Sequence, residues 1–212
     1  MRFFAALLVL MLGGCDIAVS DKNMLEHADT AGAPRFEDGV WLMSELDEET
    51  PCPVDTSQPV SKWPDCATWV VHREGQWFAR EGNSGIATKA MPRSAVTVSN
   101  GNIAIVQLES DKPPVGDGTV DPLPYSFAAF DNKPAATAKL RSVRFWIVMC
   151  GRYERNDADT PDGDAEILVR FPGFDEKCRP ASTQVLRDAA AASRPSASTE
   201  LPDFHWARAT LD

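Results

Sequence analysis

AVTVSNGNIAIVQLE, residues 95–109, decides the fold class. Two runs rich in β-branched and aliphatic residues, Ala95–Ser99 and Asn102–Glu109, flank Asn100-Gly101. Asn and Gly tolerate positive φ, and that pair between apolar runs favours a primed turn, so the spacing predicts a β-hairpin. The same pattern repeats on both sides. Candidate strands are Val40–Met43, Ala67–Arg73, Gln76–Arg80, Tyr125–Asp131, Ser142–Cys150, Glu166–Phe171 and Phe204–Leu211, separated by clusters of Gly, Pro, Asn and Asp. Arg73-Glu74-Gly75-Gln76 predicts a second tight hairpin turn. About nine strands with few helical intervals indicate a mainly β chain, an antiparallel barrel or sandwich.

One helix is expected in the C-terminal region. Ser182 or Thr183 caps a stretch running through Val185, Leu186 and Ala189 to Ala192, with Pro195 just beyond its end. It would lie against the sheet or close one end of a barrel. Residues 110–124 (SDKPPVGDGTVDPLP) and 194–203 read as polar connections. No internal repeat or second boundary interrupts residues 35–212, which read as a single β-rich domain.

The N-terminus carries a different signal. Arg2 precedes an apolar run from Phe3 to Leu12, too short to span a hydrocarbon core of about 30 Å as a mature helix, so residues 1–14 read as an export signal. Leu12-Gly13-Gly14-Cys15 resembles the lipobox of bacterial lipoproteins. That resemblance implies a diacylglyceryl thioether on Cys15, cleavage before it and an acylated new N-terminus, hence an exported, periplasm-facing protein anchored to a bacterial membrane. Each buried methylene contributes about 0.8 kcal/mol, and more than one chain is needed for stable anchoring. Asp16 resembles the inner-membrane retention signal of enteric bacteria; which membrane is used stays open. Residues 16–34, polar and without sustained periodicity, read as a flexible tether with a span of about 25 Å.

Composition narrows the partners. Without residues 1–14, Lys+Arg falls from 21 to 20 against 31 Asp+Glu, a formal charge of −11. Nucleic acid is excluded, because phosphate binding needs a basic footprint. The same sign opposes docking on anionic lipid by charge, so the membrane is reached through the lipid. Cys52, Cys66, Cys150 and Cys178 remain after Cys15, an even number in an exported chain, and are expected as two disulfides. Pairing Cys52 with Cys66 and Cys150 with Cys178 closes loops local in sequence, each contributing about 3–4 kcal/mol on the chain-entropy model. No Cys-x-x-Cys or paired-His spacing supports zinc, and no cofactor is expected.

Gly39-Val40-Trp41, at the first strand, resembles the lipocalin signature, whose tryptophan packs across the closed end of an eight-stranded barrel. The likeness covers these three positions; the second lipocalin motif is absent. More loosely, the cysteine pattern, late helix and terminal Trp-containing strand resemble exported bacterial lipoproteins that carry no assigned activity. Trp41, Trp69, Trp77 and Trp146 are the candidates to line a ligand cavity, with core packing as their ordinary use. Gly82-Asn83-Ser84-Gly85 looks like a protease nucleophile loop but has no upstream histidine to serve it: His72 lies 12 residues before Ser84. Asp157, Asp159, Asp162, Asp164 and Glu166 offer oxygen ligands for calcium, yet their spacing breaks the EF-hand pattern, so no metal is assigned.

His72 and His205 are the histidines of the body. The expected function is binding of a small apolar ligand or an envelope protein partner, with a scaffold lacking a cavity, or a hydrolase, as alternatives. A cavity lined by Trp and Phe would point to ligand binding and a filled core with an exposed patch to a scaffold. A polar cleft in which either histidine meets a Ser or carboxylate would point to catalysis.

Overall fold

The computed structural model describes residues 16–44, 52–79, 89–90, 96–109, 125–132, 139–155, 166–196, 199 and 201–212. The elements in chain order are β1 (Val19–Ser20), α1 (His27–Thr30), β2 (Gly39–Met43), β3 (Thr68–Arg73), β4 (Gln76–Ala79), β5 (Lys89–Ala90), β6 (Val96–Val98) and β7 (Ile103–Glu109). They continue with β8 (Tyr125–Asp131), β9 (Ser142–Ile147), β10 (Gly151–Arg155), β11 (Glu166–Arg170), α2 (Thr183–Ala192) and β12 (Asp203–Arg208). Nine strands form one antiparallel sheet in the order β5-β4-β3-β2-β12-β9-β8-β7-β6, nearly closed into a barrel. β10 and β11 form a separate two-stranded ribbon.

The order is close to a simple meander. The ring closes where the first long strand, β2, pairs with the last, β12, in the register Trp41↔Trp206 and Leu42↔His205. The break falls between β5 and β6, which are consecutive in the chain. Every neighbouring pair is antiparallel, so strands at the two ends of a nine-strand path run in the same direction.

Alternation along the strands sorts side chains to two faces. Rings from β2, β4, β8, β9 and β12 converge inside. Phe36 lies 5.5 Å from Trp41, 5.2 Å from Trp77 and 6.2 Å from Phe130, while Trp41 stacks on Phe204 at 5.2 Å. The interior at this end is filled by aromatic rings.

Two outer layers cover the sheet. Leu186, Ala189 and Ala190 recur at the i, i+3, i+4 spacing of one helical face and bury α2, with the Trp146 indole N–H donating to the Ala190 carbonyl at 2.9 Å. Complete burial of Leu186 alone contributes about 1.5–3 kcal/mol. Ser182 caps this helix by accepting from the Val185 N–H, as its position in the sequence suggests. On the opposite side, Val40, Leu42, Trp69 and Val71 pack under Val60 and Trp63 in a second apolar cluster. The Cys52–Cys66 disulfide, with Cα atoms 5.9 Å apart, staples that cover. Cys150 bonds Cys178 at a Cα separation of 5.3 Å, so both expected pairs form.

Three expectations change. Residues 16–34 are not a free tether. The Ala18 N–H donates to the Val148 carbonyl, the Cys150 N–H to the Asp16 carbonyl, and Ile17 bridges Met149, while β1 pairs with the part of β8 that β9 leaves open. Met24 and Leu25 are buried, and the Met24 N–H donates to the Gln107 side chain at 2.9 Å. Secondly, Asn100-Gly101 does not form a two-residue primed turn. Only Gly101 has positive φ, because Asn100 is used to tie the loop to α1, its N–H on the Asp29 carbonyl and its amide on the Ala31 carbonyl. The Glu74-Gly75 turn does form, with φ of 51° and 78°. Thirdly, Ser142–Cys150 is shorter than expected, ending at Ile147, and Glu166–Arg170 pairs with the unforeseen β10 and not with the barrel.

Candidate functional site

The register of β2 against β3 builds the site. Gly39 pairs with His72, and His72 in turn pairs with Trp77 across the β3–β4 hairpin, so Asp38, His72 and Trp77 meet at one end of the barrel. The segment before β2 is held to the start of β9: the Leu140 N–H donates to the Arg35 carbonyl and the Glu37 N–H to the Leu140 carbonyl. That brings Lys139 to the same rim and drives the Phe36 ring into the barrel end.

A cleft of about 680 Å³ opens here, between the β3–β4 hairpin and β6. Phe36, Trp77, Val96 and Val98 give it apolar walls, and Asp38, His72 and Lys139 stand among its polar groups. It therefore lies beside the break in the ring, where β5 and β6 are not paired among the described residues.

Asp38 is the hub of the polar side. Its carboxylate receives the Glu74 N–H at 3.0 Å, sits 3.2 Å from the Lys139 ammonium and lies 3.1 Å from Nδ1 of His72. Its carbonyl accepts the Trp206 indole N–H at 2.9 Å, and the Arg141 guanidinium lies over the Trp206 ring, 4.5 Å from its centre. Lys139 also reaches Glu37 at 3.4 Å. These ionic pairs are half exposed and add little stability by themselves; they fix where the charges stand.

The histidine is the unusual member. His72 is buried, 4.7 Å from the Trp77 ring, and burial pushes its pKa below the ordinary 6.5, although Asp38 and the backbone of Glu37 oppose the shift. It is therefore neutral at neutral pH, with one nitrogen to donate and one to accept. Asp38 lies close to Nδ1, but that buried nitrogen makes no well-aligned hydrogen bond. Burial works to raise the Asp38 pKa, yet the hydrogen bonds from Lys139 and the Glu74 N–H outweigh it and hold the carboxyl below its usual 3.8. The Asp38 hydrogen bond holds Lys139 protonated above the usual 10.5.

Of the four candidate tryptophans, only Trp77 lines this cleft. Trp41 lies fully buried deeper in the same aromatic cluster, its indole N–H on the Glu37 carbonyl at 2.9 Å. Trp146 packs on the outer face beneath α2, and Trp69 belongs to the second cluster, 6.5 Å from Trp63. The structure does not bring the four together. His205 is on the outer side of β12, 3.5 Å from Asp203 and away from the cleft. Cys15, Gly82–Gly85 and Asp157–Asp164 lie outside the described residues. Among the described residues no group of three or more His, Cys, Asp or Glu is arranged for a metal ion, and no helix is long and apolar enough to cross a membrane.

Asp38 and Lys139 carry the polar side of the site and were not singled out in the sequence. Asp38 adjoins the Gly39-Val40-Trp41 motif, a signal of its importance, but its proximity to His72 depends on strand register. Lys139 lies 101 residues from Asp38, and nothing local announces the contact. The site joins a flat aromatic wall to donors and acceptors of both signs, an arrangement that accommodates an amphipathic molecule. Comparison with protein-family models, curated proteins and solved structures finds no match to this chain.

Proposed function

We propose that this chain is an exported, lipid-anchored binding module that takes a small amphipathic molecule in the cleft beside the break in its barrel. The observation that carries the reading is the joining of Phe36 and Trp77 walls to the Asp38, His72 and Lys139 rim in one opening of about 680 Å³. Aromatic rings fill the neighbouring barrel end, so the ligand's apolar part lies on Trp77 at the mouth and not in a lumen. Its polar part meets the balanced charges of the rim. The export signal and the lipobox at Cys15 support the location.

Titration of the purified protein with anilinonaphthalene sulfonate, following tryptophan quenching, tests the binding. A saturable change is expected, and Thr97→Trp, which places a ring in the opening, should abolish it while leaving the melting temperature within a few degrees. Absence of saturation in the unaltered protein refutes ligand binding and leaves a scaffold for an envelope partner.

One observation favours a second reading, hydrolysis: the Asp38 carboxylate lies 3.1 Å from His72 Nδ1, within reach of orienting it as a general base once the two groups align. Turnover of a chromogenic acyl ester that is lost in His72→Gln would select it.

A further inference from the structure

We propose that the face around Asp16, carrying Ile147 and Tyr153, lies directly on the phospholipid bilayer and fixes the orientation of the barrel with its cleft pointing away from the membrane. The inference rests on the lipid-anchor reading at Cys15 and goes beyond it, because an anchor alone leaves orientation free.

The residue after Cys15 is already part of the domain: Asp16 is 8% exposed, its carbonyl accepts the Cys150 N–H at 2.7 Å, and its carboxylate accepts the Tyr153 hydroxyl. From Ile17 the chain continues in β-type contact with Met149, Val148 and β8. An acylated Cys15 therefore has one peptide bond between its lipid and the folded body, and the surface around Asp16 is carried against the headgroups.

That surface is chemically suited to lie there. Among the described residues, the large apolar side chains left exposed are Ile147, at 39%, and Tyr153, at 51%. Tyr153 bonds Asp16, and Ile147 ends β9 at the same end of the barrel, three residues before Cys150, whose N–H donates to the Asp16 carbonyl. Tyr153 offers its ring outward while its hydroxyl is satisfied, the division of character that places tyrosine at membrane–water interfaces. Arg152 pairs with Glu154 and Arg179 with Asp175 and Asp21, and with Asp16 these groups sum to −2, so the contact is carried by the lipid and the apolar side chains against a small charge opposition.

The orientation follows from β9. Lys139, on the cleft rim, and Cys150, beside Asp16, stand before and after this strand. At about 3.3 Å per residue the intervening stretch spans up to roughly 35 Å. The cleft is thereby presented to the aqueous side.

The full chain, extracted from membranes and inserted on vesicles of phosphatidylethanolamine and phosphatidylglycerol at 3:1, carries the test. Ile147→Cys and, at the opposite end, Glu74→Cys are labelled with a polarity-sensitive thiol probe, with nitroxide lipids in the bilayer and iodide in the buffer as quenchers. The probe at 147 should be quenched at least twofold more by nitroxide lipid than that at 74, and iodide should reverse the order. Hydrogen exchange of the unaltered protein supplies a check that needs no new cysteine: residues 147–153 should gain protection on vesicles relative to soluble Cys15→Ala. Equal quenching and unchanged exchange in vesicle-bound protein overturn the orientation while the anchor stands. A wild-type chain that stays off the vesicles and shows no acyl mass on its N-terminal peptide overturns the anchor, and this proposal with it.

Discussion

Replacing Gly39 with alanine attacks the place where β2 and β12 close the ring. Gly39 has a φ of +136°, outside the range that L side chains adopt readily. A Cβ built there would press on the Arg208 carbonyl oxygen and stand 2.6 Å from Trp206 Nε1 and 3.1 Å from Ala209 Cα. Two of these three neighbours are backbone, which cannot rotate aside, so β12 must shift. The dihedral strain costs about 1–3 kcal/mol and the overpacking about 1–3 more. Together they predict a loss of about 3–5 kcal/mol, or roughly 6–20 °C in melting temperature for a domain of this size. Gly75→Ala is the reference: its φ is +78°, but nothing lies within 4 Å of the added methyl, so only the backbone cost of about 1 kcal/mol is expected. Urea titration followed by tryptophan fluorescence measures both variants, since the indoles of Trp41 and Trp206 lie beside the seam. If Gly39→Ala costs no more than Gly75→Ala, the close packing of β12 on Gly39 is not what holds the seam.

Other outcomes follow from the same structure. Gln107→Leu removes the acceptor of the buried Met24 N–H and the donor to Asn23; it should cost about 1–3 kcal/mol and expose residues 16–25 to limited proteolysis, read by N-terminal mass. Because burial holds the folded pKa of His72 below 6.5, the unfolded chain binds its proton first as pH falls. That contribution to stability is complete above the unfolded pKa and is lost on acidification below about 6.5, so His72→Phe should flatten the fall in melting temperature between pH 7 and pH 5. Replacing both Cys150 and Cys178 with serine opens a 28-residue loop and should cost about 3–4 kcal/mol, against a smaller loss for Cys52 and Cys66 with their 14-residue separation, each measured by denaturant midpoint.

The strands that pack on both faces were legible because their apolar residues are dense and their ends carry turn chemistry; Tyr125–Asp131 emerges with its expected limits. What escaped lacks such a signature. β5 is described over only two residues, and Gly151–Arg155 is too polar to show alternation. The docking of residues 16–25 depends on backbone hydrogen bonds and on Gln107, none of which imposes a period on the sequence. The tryptophans divide by parity: Trp69 and Val70 are neighbours in the chain but face opposite sides of β3, and both sides are covered, so apolar content alone does not say which ring looks inward. The candidate site was half visible, through His72 and Trp77, and half hidden, because Asp38 and Lys139 reach them only once the ring has closed.

Among the described residues the main sheet has two borders at the break in the ring, and an unpaired border ordinarily recruits other chains into continuous β structure. Here those borders belong to strands described as two residues, Lys89–Ala90, and three residues, Val96–Val98. Over the described residues each presents few backbone groups to template a foreign strand, and the two run in the same direction. Among the described residues, the gap beside the cleft thus offers little length for edge-to-edge pairing.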